Sequence, residues 1–364
     1  MRSKMSKRKL VVVGGGYIGA ELAKGLEAIM DVTLVEPRRA FVHAPAMLRA
    51  LIDPSVRQQA LIPYDRLLKS GRFVADRAVE VHEDRIVTAS GEAIPADFTV
   101  LCTGSSNGGI FKPAGDDIDA FEAAQHRVQE LIETAGSIAI VGAGAVGTEL
   151  SGEIAHAYPK KKVTLITSDS ALFASVPGPM GERLSAKLEG MGVTVITGQR
   201  VSDLKSTTEP YAGALSLADG RSIAADLVIP AIGSKPQTTL FDALPGVVRA
   251  TDGRVKVDGY LRPCGRSTVF AAGDAVDAGD AMTIVATSRQ QPWLAKTLKA
   301  LAAGKPLDAL KPYAPWSEPP ILVPLGPELG NSYLKIATFG NWVTKTMKGK
   351  GIFIARYRKI LNQG

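Results

Sequence analysis

The sequence predicts an α/β protein made of two Rossmann-like units, one inserted into the other, with a short C-terminal cap. Three observations carry that expectation. A short apolar run breaks into glycines twice, as Val-Val-Val-Gly14-Gly15-Gly16-Tyr17-Ile18-Gly19 and as Ile-Ala-Ile-Val-Gly142-Ala143-Gly144-Ala145-Val146-Gly147. Each copy is followed by a second apolar run led by aspartate and closed by glycine, from Asp97 to Gly104 and from Asp226 to Gly233. Each landmark repeats at one offset, to within a residue. Glycine fills 37 of the 364 positions, so a lone G-x-G-x-x-G would arise by accident roughly 0.4 times. Landmarks in one shared register point instead to a duplicated unit.

The elements follow in order. Residues 10–13 read as a buried parallel strand, 17–30 have helical periodicity, and 32–35 form the next strand, ending at Glu36. Alternation over 73–87, with a turn near Glu83-Asp84, reads as an antiparallel meander feeding a strand at 98–101. Helix 121–134 connects to the second unit. There the order repeats: strand 138–141, helix 145–158, strand 163–167, helix 181–191, strand 193–197, a meander through 215–217, and strand 227–232. The chain then returns to the first unit through 255–257 and 268–274, closed by a helix at about 282–302. Seven prolines between Lys305 and Gly330 mark a linker or sheet edge. The expected domains are residues 8–112 with 236–310, an inserted 113–235, and a small basic 311–364.

Composition narrows the function. An apolar fraction of 45% with 22% charge is ordinary for a globular enzyme, and no run reaches the ~18 apolar residues of a membrane span. The basic start before the first strand has no apolar helix or cleavage site after it, so a cytoplasmic protein is expected. The two cysteines, Cys102 and Cys264, form no C-x-x-C pair, which excludes a dithiol relay. Four scattered histidines give no metal-ligand spacing. The net charge of +7 is concentrated late: residues 331–364 hold seven Lys/Arg and no Asp or Glu. That asymmetry fits a membrane surface, an anionic partner or a solvated face.

The chemistry lies in the glycine turns. Gly14 permits the tight turn, Gly16 lets the backbone approach a pyrophosphate, and Gly19 lets helix and strand pack closely. Glu36, seventeen residues beyond Gly19, stands where an acid accepts hydrogen bonds from ribose hydroxyls. Thr268-Val-Phe-Ala-Ala-Gly273-Asp274 ends a buried strand in a carboxylate, where flavoproteins of this plan hold the ribityl chain of FAD. Gly142, Gly144 and Gly147 are expected to hold the pyrophosphate of a nicotinamide cofactor in the second unit. Its second strand ends Ile166-Thr167-Ser168, with neither carboxylate nor arginine, which leaves NADH against NADPH open. Glu149, placed on the first turn of the following helix, is a candidate for the nicotinamide ribose or carboxamide, or simply a dipole-favoured acid.

These residues resemble the apoptosis-inducing-factor-like branch of the pyridine-nucleotide flavin reductases, with type II NADH dehydrogenases further off. The likeness is specific in Phe41-Val-His43-Ala-Pro-Ala-Met-Leu-Arg49, in Gly147-Thr-Glu149-Leu-Ser-Gly-Glu-Ile154, and around Lys348 and Phe353. The resemblance implies FAD as cofactor, NADH or NADPH as co-substrate, and a membrane quinone as acceptor. It implies that His43 lies beside the flavin, Glu149 at the nicotinamide, Lys348 near flavin and quinone, and Phe353 in the acceptor pocket. Arg49, Thr103 and Gly104 join the expected FAD set, and Thr167 and Gly233 the NAD(P) set. A cation about 4 Å from an anionic reduced ring is worth roughly 4 kcal/mol at an effective dielectric near ~20, which suits Lys348, although an ordinary surface lysine is the other reading. His43 reads as a packing neighbour more than as a proton donor. The chain begins Met-Arg and lacks a myristoylation start, so peripheral membrane contact is expected from the basic C-terminal module.

The expected function is therefore an FAD-dependent NAD(P)H:quinone oxidoreductase, with hydride passing from nicotinamide C4 to flavin N5. An NADH reductase of a small iron–sulfur protein is one alternative; a flavin-charged nucleic-acid-binding protein is the other and the less favoured. Oligomeric state, a homodimer included, stays open.

Overall fold

A computed structural model describes residues 7–364; the cytoplasmic start expected from residues 1–6 lies outside them. The first glycine turn follows the strand Lys9–Val13, which is central in a five-stranded parallel sheet. Across the sheet the order is Val269–Ala271, Phe98–Leu101, Lys9–Val13, Asp31–Val35 and Arg72–Val74. The second unit is a four-stranded parallel sheet ordered Val193–Ile196, Lys162–Ile166, Ser137–Val141 and Leu227–Pro230. The duplication holds at the level of single hydrogen bonds. Gly14 N–H donates to Val35 O at 2.9 Å, and Gly142 N–H to Ile166 O at 2.8 Å. Cys102 N–H reaches Val13 O, and Ala231 N–H reaches Val141 O, both at 2.7 Å.

Four readings of the sequence need correction. Residues 72–74 are not part of the meander but pair in parallel with Asp31–Val35 as the outer strand of the first sheet. The meander is Ala78–Val81, Arg85–Thr88 and Ala93–Pro95. The first helix is shorter than its periodicity suggested, Tyr17–Leu26, because the chain must turn before the buried Met30 to start the next strand. Two helices went unforeseen, Ala44–Ala50 and Pro54–Ala60. Each has proline in its first turn, and Asp53 caps the second by accepting from Ser55 N–H.

The C-terminal cap packs on both units. Of its antiparallel strands Ile321–Leu325, Leu329–Tyr333 and Thr338–Phe339, the first lies against the helix Ala145–Ala157 and the second against Met180–Gly190, both of the second unit. A Cβ at Gly152 would stand 2.5 Å from Leu325 Cα, so glycine sets how closely helix and sheet approach. Val323, Leu325 and Tyr333 belong to the second unit's core. The last helix, Ile354–Ile360, crosses to the other side, where Tyr357 and Leu361 join the core of the first unit. Lys24 Nζ fastens its end, donating to Ile360 O at 2.5 Å and Asn362 Oδ1 at 2.6 Å. The segment thus bridges both units.

Candidate functional site

Both glycine turns put the backbone in the geometry of a phosphate cradle. Gly14 (φ 98°) and Gly142 (φ 107°) lie in the left-handed region, which favours glycine. A Cβ on Gly19 would be 1.8 Å from Gly14 O, and one on Gly147 would be 1.9 Å from Gly142 O, so both positions require glycine. Around Gly16 and Gly144 the opposite holds: an added Cβ meets nothing within 4 Å. The protein leaves space at that one point of each turn, where a pyrophosphate approaches the helix N-terminus.

In the first unit that space opens into a cavity of about 440 Å³. Gly14, Gly16, Glu36, Thr103, Gly104, Gly273 and Asp274, all named from the sequence, line it. Glu36 is 3% exposed and held rigidly: its Oε2 accepts from Gly15 N–H at 2.7 Å and its Oε1 from Arg38 N–H at 3.0 Å. Tyr64, unforeseen, also lines the cavity and donates its hydroxyl to Gly15 O at 2.8 Å, bracing the turn. Asp274 Oδ2 accepts from Ser105 Oγ at 2.6 Å and from Lys112 Nζ at 2.8 Å. Gln290, buried in the helix Ile284–Ala302, accepts Gly273 N–H at 2.7 Å and donates to Asp280 at 2.8 Å. Ser105, Lys112 and Gln290 carried no sequence signal, because only the fold brings them to this corner. Space, buried acid and glycine cradle together fit FAD. Glu36 would hold the ribose, Gly14–Gly16 the pyrophosphate and Asp274 the ribityl chain.

The two cradles adjoin. The ribbon Ser105–Ser106 pairs antiparallel with Lys235–Pro236. Thr103 Oγ1 donates to Gln237 O at 2.5 Å, and Gln237 N–H to Gly104 O at 2.9 Å. Gly104 (φ 71°) and Gly233 (φ 64°) therefore turn the chain at equivalent points where the two sheets meet. Thr167 is buried, and its Oγ1 accepts from Asp169 N–H at 3.2 Å. Gln199 N–H donates to Thr167 O at 3.0 Å, and the exposed Arg200 follows it in the chain.

The remaining expected residues form a second layer behind the cavity. His43 is wholly buried; its Nε2–H donates to Ile352 O at 2.5 Å, and its Nδ1 accepts from the Tyr17 hydroxyl at 3.1 Å. That hydroxyl also accepts from Ala44 N–H at 3.0 Å. Burial first, then the nearby Lys348, pulls the imidazole down to about 4, with the Ile352 carbonyl opposing them. It is Tyr17, not His43, that lines the cavity. Phe353 stands at the N-cap of the last helix and packs, partly buried, against the core of the first unit. Ile352 (φ 44°) and Phe353 (φ 59°) are successive left-handed non-glycine residues, a costly arrangement next to the π-helical turn Lys345–Gly349.

Glu149 lies just past the first turn of its helix, which has no acid of its own, so the dipole does not account for it. It is 4% exposed and bonded to Lys348 Nζ at 2.6 Å, while Lys348 also donates to Leu322 O at 3.2 Å. Burial lifts the Glu149 carboxyl above its usual range, with Lys348 opposing. Arg49 is not among the cavity-lining residues; its guanidinium takes Glu153 at 2.7 Å and the Lys350 carbonyl at 3.3 Å. Glu153 stands one helical turn after Glu149, a spacing legible in the sequence but not used.

This arrangement defines a class. The chain belongs to the pyridine nucleotide-disulphide oxidoreductase family, which it matches over residues 1–106 and 64–297. It is an FAD-dependent pyridine-nucleotide oxidoreductase. Both cysteines are free, Cys102 buried and Cys264 exposed.

Among relatives, it is 30% identical to apoptosis-inducing factor homolog B of Dictyostelium discoideum over 98% of this chain and 97% of that one. It is 27% identical to ferroptosis suppressor protein 1 of Homo sapiens over 97% and 96%. The fold is also that of the putidaredoxin reductase in its covalent complex with putidaredoxin. There the TM-score is 0.67 at 20% identity, over 90% of this chain and 81% of that one.

Proposed function

We propose that the protein is an NAD(P)H:quinone oxidoreductase. The observation that carries this reading is the Glu149–Lys348 pair, which brings a C-terminal cation to the helix of the second glycine turn. When bound, FAD supplies the hydride acceptor and the store of electrons for the quinone. The protein's part is geometry and charge. Gly16 and Gly144 admit the two pyrophosphates, while Glu36 and Asp274 orient one cofactor. Glu149 orients the nicotinamide side, and Lys348 places positive charge where the acceptor gains electrons. His43, held neutral between Tyr17 and Ile352, keeps the Lys348 turn in place and delivers no proton at neutral pH.

A membrane surface is the proposed setting. Among the described residues no helix is long and apolar enough to cross a membrane. The C-terminal module, however, exposes Ile336 (87%), Trp342 (78%) and Met347 (44%) among its cations. Such a mixture suits shallow binding to an anionic leaflet.

The test is anaerobic titration of the yellow protein with NADH, followed by a soluble quinone or by a ferredoxin. Bleaching by NADH and recovery of colour with quinone alone supports the proposal. Recovery with ferredoxin alone transfers the reading to an iron–sulfur partner, and a protein that NADH cannot bleach ends both.

A further inference from the structure

Glu149 and Glu153 project from successive turns of Ala145–Ala157, and both are nearly buried, at 4% and 5% exposure. Each carboxylate is taken by a cation from a different part of the chain. Lys348 comes from the C-terminal module, and Arg49 from the helix Ala44–Ala50 of the first unit. The Arg49 contact is bidentate: Nε lies 3.0 Å from both Glu153 oxygens and Nη2 2.7 Å from one, with side-chain exposures of 11% and 6%. Its Nη1 adds a bond to Lys350 O at 3.3 Å, two residues beyond Lys348. One guanidinium therefore joins the first unit, the second unit and the C-terminal module. The resulting cluster of two acids and two bases is neutral.

We propose that Arg49 and Glu153 are a positioning pair for the candidate catalytic pair, keeping Glu149 and Lys348 registered on one another, and that Arg49 does not hold the cofactor. The inference rests on the function proposed above for Glu149 and Lys348. The groups facing Glu149 are Glu153 on its own helix, Arg49 across the domain boundary and Lys348 from the C-terminal turn. His43 lies behind Lys348 and is neutral above about pH 4. Without Arg49, two carboxylates one turn apart would share a single lysine. Like charges in so dry a place do not both stay ionised, so the acid pair takes up a proton. Lys350 O would also lose its donor, loosening the segment that carries Lys348.

Infrared titration of carboxyl groups in the FAD-loaded protein reads this without turnover. In Arg49→Gln, the acid pair should take up its proton about one pH unit higher than in the unaltered protein. Arg49→Lys should titrate as the unaltered protein does, and Arg49→Gln combined with Glu153→Gln should return close to it. Glu153→Gln alone should move uptake the other way, which keeps the test open if Arg49→Gln does not fold. The acidic limb of NADH bleaching should move with the infrared signal, while the FAD-to-protein ratio stays constant. An unchanged titration in both Arg49→Gln and Glu153→Gln overturns the proposal, as does loss of FAD as the sole effect of Arg49→Gln. If NADH cannot bleach the unaltered protein, the oxidoreductase-site reading fails by itself, and the infrared comparison still decides what Arg49 does.

Discussion

His43 donates its Nε2–H to the carbonyl of Ile352, 2.5 Å away, and so ties the wall of the FAD cavity to a left-handed turn some three hundred residues later in the chain. The bond fixes the tautomer, since a carbonyl only accepts, and leaves Nδ1 to accept from Tyr17. Its consequence is a pH dependence. The folded imidazole titrates at about 4, below the ordinary 6.5, so its contribution to stability is complete above 6.5 and is lost as pH falls towards 4. The full loss is on the order of 3 kcal/mol. Urea unfolding at pH 7 and at pH 4.5 should show that slope, and His43→Asn should remove most of it. A slope unchanged by His43→Asn would place the titrating group elsewhere.

The two glycine positions in each turn should respond in opposite ways to one methyl group. At Gly16 and Gly144 the added Cβ finds open space, so Gly16→Ala and Gly144→Ala should fold. Gly16→Ala should be purified with much less FAD, and Gly144→Ala should keep FAD but bind NADH about tenfold more weakly. At Gly19 and Gly147 the same methyl would collide with a carbonyl oxygen at under 2 Å, so these variants should lose structure. Flavin content and thermal melting of the four proteins make the comparison. Full FAD retention in Gly16→Ala contradicts the assignment of that turn.

Glu149 and Lys348 were expected to act separately, one at the nicotinamide and the other at the acceptor. Their contact at 2.6 Å makes them one unit. Removing either partner of so dry a pair leaves the other buried and uncompensated, a change worth about 3 kcal/mol. Glu149→Ala and Lys348→Ala should therefore each slow bleaching by NADH, and the double variant should cost little more than the worse single. A double-mutant cycle on the bleaching rate measures this, with an expected coupling of about 1–3 kcal/mol. Additive effects would mean that the two residues serve different steps after all.

What the sequence made legible was whatever the backbone encodes locally. Gly14 and Gly142 need positive φ, and Gly19 and Gly147 need the absence of a Cβ, so the duplicated cradles could be read residue by residue. Glu36 and Asp274 followed, because their places are fixed by distance from a strand end. The capping signs for Ala44–Ala50 and Pro54–Ala60 were also present in Pro45, Asp53 and Pro54, but the helices are too short for periodicity to reveal. Arg72–Val74 misled because an outer parallel strand alternates much as a hairpin strand does. Lys112, Gln290 and the Arg49–Glu153 contact were out of reach. Their partners lie 162, 17 and 104 positions away, and only the folded packing selects them, within the first unit for Lys112 and Gln290 and between units for Arg49.

The choice between NADH and NADPH is the last matter that the structure brings within reach. The strand tip Thr167-Ser168 offers hydroxyls alone, and Asp169 beyond it discourages a 2′-phosphate. Arg200 follows Gln199, whose N–H bonds Thr167 O, and is the cation of the neighbouring loop. An exposed cation against a phosphate is worth about 1 kcal/mol. Arg200→Ala should therefore weaken NADPH by roughly fivefold relative to NADH, and Asp169→Asn should shift the ratio the other way. Both effects should shrink in high salt, because the groups are open to solvent. Steady-state kcat/KM for the two nucleotides at low and high ionic strength gives the answer, and a ratio unmoved by Arg200→Ala would remove this loop from nucleotide selection.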